Sequence, residues 1–208
     1  MKFKYYDVLS SLVVGYVLLV IGMYSFQIEY NSDYTVAYLA IAFLCGYIIN
    51  AIGSQLESFY YFTIGGKPSD RLLSNDEKEH CRLYNFFVPK NTGINKVRFY
   101  ETATIRKLLL EGLEDENPKE DRLFGKAMRA VNGNQDSRVP DFNAHYALSR
   151  TILTTVFIST ALIISSNPDD WKSYLSLVIL FICWRRYRER AYYYAREVLN
   201  EYLKKHKK

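Results

Sequence analysis

The chain has 208 residues and a formal net charge of +5, and 49% of its residues are hydrophobic. This length suits one or two compact units, and the 15 basic and 14 acidic residues between Glu57 and Arg150 nearly cancel, which argues against a dedicated nucleic-acid surface. The apolar residues are gathered in blocks near both ends of the chain, with nearly all the charge between and after them. That distribution indicates a membrane protein.

The first two apolar blocks, residues 8–28 and 34–56, contain no charged residue. A membrane-spanning helix needs about 20 mostly apolar residues, and both blocks reach that length. The first block is too long for the hydrophobic region of a secretory signal, and no small-residue cleavage site follows it. We therefore predict that residues 1–56 form a transmembrane hairpin.

The charged middle of the chain, residues 57–148, carries helix start and stop signals and no alternating strand pattern. It is predicted to form a helical cytoplasmic domain. The second membrane helix is expected to continue to Ile64, where Gly65 and Gly66 supply a left-handed C-cap. Further helices are predicted from Asn75 to just before Pro89, from about Asn95 to Leu113, from Asn117-Pro118 to Asn132-Gly133, and from Pro140 into the next apolar block.

Two more apolar blocks, about 149–166 and 171–184, make a second predicted hairpin over residues 149–184. The last block is short for a span, but Trp171 and Trp184 bracket it as interfacial aromatic residues do. Asn167 is expected to cap its helix, with Pro168 at the first helical position.

Residues 185–208 form a tail with nine basic and three acidic residues. We predict that the tail continues the fourth membrane helix, giving one helix of roughly 38 residues packed on the middle domain. The alternatives are a platform for anionic lipid headgroups or a partner protein and, as a third option, a helix that contacts nucleic acid, which we do not expect. The candidate lipid or partner contacts are Arg185, Arg186, Arg188, Arg190 and Arg196.

Charge in the short loops predicts the orientation of the spans. The loop from Glu29 to Asp33 is acidic, and Asp169 and Asp170 outnumber Lys172 in the second loop. Basic residues lie at the N-terminus and after Trp184. Because positive charge marks the cytoplasmic side, both termini are expected in the cytoplasm.

Polar residues within the spans are candidates for helix packing or for lining a pore. Asn50 lies toward the cytoplasmic end of the second span, and Thr154, Thr155 and Ser159 lie on the third. An amide or hydroxyl in a span usually bonds across helices, although hydroxyls also serve weakly selective pores. The spans hold no deep acidic or basic residue, which argues against coupled ion transport.

The sequence shows little that would support catalysis. It contains no P-loop, no G-x-S-x-G and no H-E-x-x-H motif, and its three cysteines form no CxxC pair. We expect no catalytic residue, no metal and no cofactor. One alternative is open: Arg138 and His145 have the R-x6-H spacing of HEPN-class ribonucleases, but Pro140 interrupts the intervening turn.

Three segments carry a family resemblance: Gly65-Gly66-Lys67-Pro68-Ser69-x-x-Leu72-Leu73, Phe142-Asn143-Ala144-x-Tyr146-x-x-Ser149-Arg150, and Arg185-Arg186-Tyr187 followed by Tyr194 to Leu199. From the second span onward the chain resembles small bacterial four-span membrane proteins of unknown function. Its architecture is similar to that of membrane components of antiphage systems, including CRISPR-accessory, cyclic-nucleotide-signalling and Kiwa-type proteins. The resemblance supplies no catalytic residue, and it marks Gly65, Gly66, Pro68 and Ser69 as a distinctive juxtamembrane loop.

The sequence thus predicts an all-α protein, a four-helix transmembrane bundle whose helices extend into a small helical cytoplasmic domain. We expect a multi-pass protein of the bacterial inner membrane that is not an enzyme. The expected partners are anionic lipid headgroups, further copies of the chain and a soluble protein. The resemblance implies an effector or regulator in antiphage defence that perturbs the membrane or recruits a partner to it. The alternative is a channel or transport subunit unrelated to defence.

Overall fold

A computed structural model describes residues 5–74, 99–111, 118–132, 137–166 and 168–206, with side-chain environments from residue 11 onward. Throughout these ranges the regular structure is helical and no strand occurs, so the all-α prediction is confirmed. The helices are α1 (Tyr5–Ser25), a short 3-10 helix (Ser32–Tyr34), α2 (Thr35–Gln55), α3 (Glu57–Thr63), α4 (Pro68–Ser74), α5 (Thr102–Leu110), α6 (Glu120–Val131), α7 (Val139–Ser166) and α8 (Trp171–His206).

The chain divides into two compact units. We call the first the hairpin unit, made of Met1–Glu57 and Ala147–Tyr187. The second, the helical-core unit, is made of Ser58–Tyr146 and Arg188–Lys208.

Two helical segments, Ser32–Gln55 and Val139–Ser166, are long and apolar enough to cross a membrane. Ser11–Ser25 forms a shorter apolar helix. A core helix of a soluble protein can meet the same two criteria, but such a helix is mostly buried. Here the buried share of the most apolar window is 22% in the first segment and 33% in the second.

The end of α3 confirms the predicted glycine cap. Gly65 and Gly66 have φ angles of 89° and 118°, the left-handed region that glycine occupies at little cost. The N–H of Gly66 donates to the carbonyl of Tyr61 at 2.7 Å, and that of Gly65 donates to Phe62 at 3.2 Å. The prediction of one unbroken helix up to this cap is wrong, because a turn at Leu56 separates α2 from α3.

Two of the predicted helices in the middle of the chain are shorter than expected. The helix expected from about 95 to 113 is α5, Thr102–Leu110. Pro118 does not open α6, because Lys119 is its extended N-cap residue and the helix begins at Glu120. The helix expected from Asn75 to Pro89 lies outside the described residues.

The last two helices are long, as predicted, but one of them begins later than expected. α7 runs unbroken from Val139 to Ser166, and α8 continues through the basic tail for 36 residues. The placement of Pro168 at the first helical position of α8 is wrong. Asp170 is the residue just before the helix, and its carboxylate accepts the N–H of Lys172 at 3.3 Å, an N-cap bond that starts α8 at Trp171.

The helical-core unit is organised around the C-terminal part of α8. Val198, Leu199 and Tyr202 of that helix are buried with leucines of α4, α5 and α6, among them Leu73 and Leu109. Amphipathic helices fold by burying such apolar stripes against one another. The basic tail is therefore a core element of this unit.

Candidate functional site

In the hairpin unit, many large apolar side chains are exposed and many hydroxyl side chains are buried, the inverse of the distribution usual in a water-soluble protein. Leu44 on α2 is 59% exposed and Val178 on α8 is 55% exposed, and many other large apolar residues of α1, α2 and α8 are exposed beside them. In the interior of the unit, the hydroxyl-bearing Thr154 is fully buried. Buried hydroxyls accompany it along α7 and α8: Thr151, Thr155, Ser159, Thr160, Ser173 and Ser176. We take this polar interior as the candidate functional site.

α1 and α2 pack backbone against backbone. A Cβ atom built on Gly15 would lie 1.7 Å from the carbonyl oxygen of Ala42, and one built on Gly46 would lie 1.9 Å from the carbonyl oxygen of Ser11. Both distances are far below van der Waals contact, so only glycine fits at these positions. Close approach through small residues is the usual packing of helices in a membrane.

α2 and α7 meet along a polar seam. The hydroxyl of Thr151 donates to Oδ1 of Asn50 at 3.1 Å. Three residues further along α2, a Cβ atom on Gly53 would lie 2.8 Å from the hydroxyl oxygen of Thr154. At the end of the seam, Arg150 and Glu57 form an ion pair at 3.3 Å.

Most of the buried hydroxyls bond to backbone carbonyls. Thr154 and Thr155 donate to the carbonyl oxygens four residues earlier on α7, at 2.9 and 3.0 Å, as hydroxyls do in apolar helices. Thr160 reaches across to the carbonyl of Ser176 on α8 at 3.4 Å. Within the described part of the chain, the buried hydroxyl of Ser159 has no hydrogen-bond partner.

These contacts locate the predicted pore or packing residues. Thr154, Thr155 and Ser159 lie in the interior of the hairpin unit, and Asn50 is exposed as a residue although its amide oxygen is bonded to Thr151. The geometry of the seam is that of helix packing. A pore-lining role for these four residues stays a prediction.

The loop end of the hairpin unit, where α1 meets α2 and α7 meets α8, is rich in exposed aromatic side chains. Trp171 and Tyr174 at the start of α8 are 66% and 64% exposed. The ammonium group of Lys172 bonds to the hydroxyl of Tyr24 and pairs with Asp170 at 3.6 Å. The other exposed aromatic residues at this end are Phe26, Tyr30 and Tyr34.

The predicted basic platform is only partly on the surface. Arg186 is exposed, but Arg188 is 8% exposed and its guanidinium lies 5.2 Å from the centre of the Tyr192 ring. Arg196 is half-buried and stacks over Tyr193 at 4.9 Å. Arg185 and Arg190 are also half-buried.

The glycine-proline loop has a structural explanation. Gly65 and Gly66 end α3, and Pro68 is the first residue of α4, where its missing N–H costs nothing. Pro68 and Ser69 are buried, and the hydroxyl of Ser69 donates to Asp70 at 3.0 Å. Burial raises the pKa of the Asp70 carboxyl above its usual value, against the lowering effect of Ser69 and Lys67.

A chain of tyrosine contacts in the helical-core unit was not expected from the sequence. The hydroxyls of Tyr61 and Tyr146 are 2.8 Å apart, and the rings of Tyr146 and Tyr194 stack with centres 5.6 Å apart. Tyr194 then donates to the sulfur of Met128 at 3.1 Å. Tyrosine abundance was the available signal, but it does not indicate which tyrosines pair.

The residues of the ribonuclease alternative lie at the start of α7. The guanidinium of Arg138 sits 5.4 Å from the centre of the Phe142 ring, and His145 is exposed. The residues that the structure describes contain no group of three or more side chains suited to hold a metal ion.

Comparison of the chain with protein-family models, with curated proteins and with solved structures found no match.

Proposed function

We propose that the chain is an integral membrane protein with four spans, α1, α2, the apolar part of α7 and the first half of α8. The observation that carries this proposal is the inverted distribution of the hairpin unit. In water, an exposed surface of leucine, isoleucine and valine would be an aggregation site. In a bilayer the same surface is matched by lipid tails, and interior hydroxyls hold the helices together.

The ends of α8 support its assignment as a span despite its short apolar run. Trp171 and Trp184 flank Leu177, Val178 and Ile182, all of them exposed or half-exposed. Aromatic residues of this kind settle at the membrane–water interface. The exposed tyrosines near Trp171 fit the same level at the loop end.

The charge of the two ends supports the orientation. Arg185 and Arg186 lie at one end of the hairpin unit with the Glu57–Arg150 pair, and the acidic residues Asp33 and Asp170 belong to the loops at the other end. The positive end is cytoplasmic by the usual rule. Both termini and the helical-core unit are then in the cytoplasm of a bacterial cell with the spans in its inner membrane.

Reporter fusions test this topology. Alkaline phosphatase fused after Glu29 or after Asp169 should be active, because both sites are predicted to be outside the cytoplasm. Fusions after Ser74 or after His206 should be inactive. An active fusion after His206, or release of the whole chain from membranes at alkaline pH, would overturn the proposal.

We further propose that the protein is a non-enzymatic oligomer whose cytoplasmic unit binds a soluble protein and whose positive tail end contacts anionic lipid headgroups. The role in antiphage defence rests on the sequence resemblance alone. Expression of the chain with its genetic neighbours should reduce phage plaque formation. Unchanged plaque counts would contradict the role in defence, and a monomer in mild detergent would contradict the proposed oligomer.

The polar interior favours a second candidate, a channel or transport subunit. The partnerless hydroxyl of Ser159 and the row of buried threonines are the kind of surface that a weakly selective pore exposes when it opens. Ion flux through vesicles that contain only this protein, reduced by Ser159→Ala and Thr155→Val, would favour this candidate. Absence of flux would favour helix packing.

A further inference from the structure

One side of α2 exposes polar side chains in the middle of its apolar run. Tyr47 is 67% exposed, and Asn50 is also exposed. The uncharged run from Tyr34 to Leu56 has its centre at Cys45, so Asn50 lies about 7 Å from that centre along the helix and Tyr47 about 3 Å. Half of the hydrocarbon core is about 15 Å thick. In the proposed topology both side chains therefore lie within the hydrocarbon.

Hydrogen bonds within the chain use only part of the Asn50 amide. Its side-chain oxygen accepts the hydroxyl of Thr151, and its backbone carbonyl accepts the hydroxyl of Ser54. Among the residues that the structure describes, neither the N–H groups of this amide nor the hydroxyl of Tyr47 has a hydrogen-bond partner. Lipid tails cannot supply one. A polar group of this kind in a span is usually satisfied by another helix.

The exposed surface around Tyr47 has the spacing of a coiled-coil contact. Six residues that we call the heptad face follow one another at alternating steps of three and four, and every one of them is exposed: Ala37, Ala40, Leu44, Tyr47, Ala51 and Ser54. The buried residues of α2, among them Gly46 and Ile49, fall on the other side of the helix. Residues at this spacing pack against a second helix at a crossing angle of about 20°.

The polar groups beside the heptad face are complementary to a second copy of the chain. All copies cross the membrane in the same direction, so two α2 helices that meet at this face are parallel and related by a twofold axis. In a parallel pair, Asn50 flanks the contact at a position that faces the residue five places later on the other helix. That residue is Gln55, which is also exposed. A primary amide both donates and accepts hydrogen bonds, so each Asn50 matches the Gln55 opposite it.

From this exposure, hydrogen bonding and spacing we infer that the heptad face of α2 is an interface between two copies of the chain, in which Asn50 of each copy bonds to Gln55 of the other. The Tyr47 hydroxyls of the two copies meet within the same interface, about one turn away. The inference rests on the proposed membrane-spanning oligomer and adds the surface through which it assembles. A single chain enters the membrane before it pairs, so Leu44 faces lipid at that stage.

Disulfide crosslinking in membranes tests where the copies meet. The native cysteines of the full-length chain are first removed by Cys45→Ala, Cys81→Ala and Cys183→Ala. Ala40→Cys or Ala51→Cys then places one cysteine on the heptad face. Val20→Cys is the matched control, because Val20 is 47% exposed on α1. We expect the two heptad-face cysteines to give about fivefold more crosslinked dimer than the control, because a disulfide forms only between closely facing Cβ atoms. Equal crosslinking at all three positions would overturn the inference.

Asn50→Leu tests the pair of amides. Thr151 keeps its bond to the carbonyl of Ala147, so the variant leaves no unpaired threonine hydroxyl inside the protomer. Energy transfer between labelled copies in phosphatidylcholine vesicles, measured as lipid is added, gives the dissociation constant. Because two hydrogen bonds are lost, we expect this constant to rise about tenfold in Asn50→Leu and to change by about threefold or less in Asn50→Gln, which keeps an amide.

Gln55→Leu provides a second measurement that does not touch Thr151. It should weaken association as much as Asn50→Leu does, and the double variant should associate no more weakly than either single variant, because both remove the same bonds. An unchanged dissociation constant in both single variants would contradict the inference.

The parent chain separates this inference from the proposed function. If the parent chain leaves the vesicles at alkaline pH, the membrane-spanning proposal fails. If it stays but shows no energy transfer beyond that of randomly mixed copies, the proposed oligomer fails. If the parent associates, but Asn50→Leu associates as tightly and Val20→Cys crosslinks as well as Ala51→Cys, only the interface inferred for α2 fails.

Discussion

In the hairpin unit, many large apolar side chains are exposed, and hydroxyls lie in the interior beside a few apolar residues such as Ile49 and Leu153, whereas the helical-core unit has a buried cluster of large apolar side chains. Leu44 of the first is 59% exposed, and Leu73 of the second is fully buried. The same residue type is thus placed on opposite sides of the two units. The difference supports the proposal that the hairpin unit lies in a membrane and the helical-core unit in water, since burial of leucine is favourable only where the alternative is water.

The two units also differ in what holds them together. The hairpin unit relies on glycine contacts and on hydroxyl and amide bonds, with Gly15 and Gly46 against the neighbouring backbone. The helical-core unit relies on a packed cluster that includes Leu109, Leu123 and Leu199. Four substitutions, from the largest expected effect to the smallest, put this contrast to the test.

Gly46→Leu should disrupt the hairpin unit most severely. The new side chain would meet the backbone of Ser11, which cannot move aside as a flexible side chain would. We therefore expect the free energy of unfolding to fall by about 3 kcal/mol or more. Unfolding in mild detergent with rising SDS measures it. Gly22→Leu is the matched control, because nothing lies within 4 Å of its built Cβ atom, and an equal loss in both variants would contradict the packing described.

Leu44→Lys tests the solvent around the hairpin unit. If Leu44 faces lipid, a lysine near the middle of the span should cost about 3 kcal/mol of insertion, and the inserted fraction in a glycosylation-based translocation assay should fall accordingly. Tyr100→Lys is the control in the helical-core unit, where Tyr100 is 86% exposed and faces water. A lysine tolerated equally at both positions would contradict a membrane location.

Tyr202→Phe tests the packing of α8 in the helical-core unit. Burial, with a smaller effect of Glu111, raises the pKa of the Tyr202 phenol above its usual value. Because an unfolded tyrosine ionises near pH 10, the contribution of Tyr202 to stability is complete below about pH 10 and is lost as pH rises through its folded pKa. The phenylalanine variant should lose less stability above pH 10 than the parent.

Thermal unfolding measured from pH 8 to pH 11 shows this difference. Tyr100→Phe is the control, because it removes the same hydroxyl from a tyrosine that is 86% exposed. If the stability of Tyr202→Phe and of Tyr100→Phe depends on pH in the same way, the buried phenol of Tyr202 does not contribute to the pH dependence as described.

Gly125→Ala should give the smallest effect, an increase of about 0.5–1 kcal/mol in the free energy of unfolding of the helical-core unit. Gly125 lies inside α6, and nothing lies within 4 Å of its built Cβ atom, so alanine restricts the unfolded chain without a clash. Gly66→Ala should instead destabilise, because its φ of 118° suits only glycine. Thermal melting of both variants in one detergent gives the comparison.

Much of the fold followed from local signals in the sequence. Pairs of glycine and runs of apolar residues act on their immediate neighbours, so the cap at Gly65 and the unbroken helices α7 and α8 were predictable. The start of α8 was not, because Asn167-Pro168 and Asp170 both carry capping chemistry and the sequence pattern does not decide between them. Lys172 pairs with Asp170 and also bonds to Tyr24 of α1, a contact that a local pattern does not contain.

The candidate site was less predictable than the fold. Asn50 and the threonines of α7 stood out as polar residues in apolar blocks, but their partners depend on helix register. The pairing of Gly53 with Thr154 and of Glu57 with Arg150 joins residues about a hundred positions apart. Likewise, the burial of Arg188 depends on the packing of α8, which charge counting does not report.

The shortness of the apolar run in α8 also bears on how the protein is made. A segment enters the membrane during synthesis according to its summed apolar character, and the run from Ser173 to Trp184 falls well short of the usual length. We expect this run to enter only together with α7, as a pair. Under the proposed topology, the pair would be committed when Arg185 and Arg186 leave the ribosome and hold the chain on the cytoplasmic side, and biogenesis of the second hairpin would be a single late step.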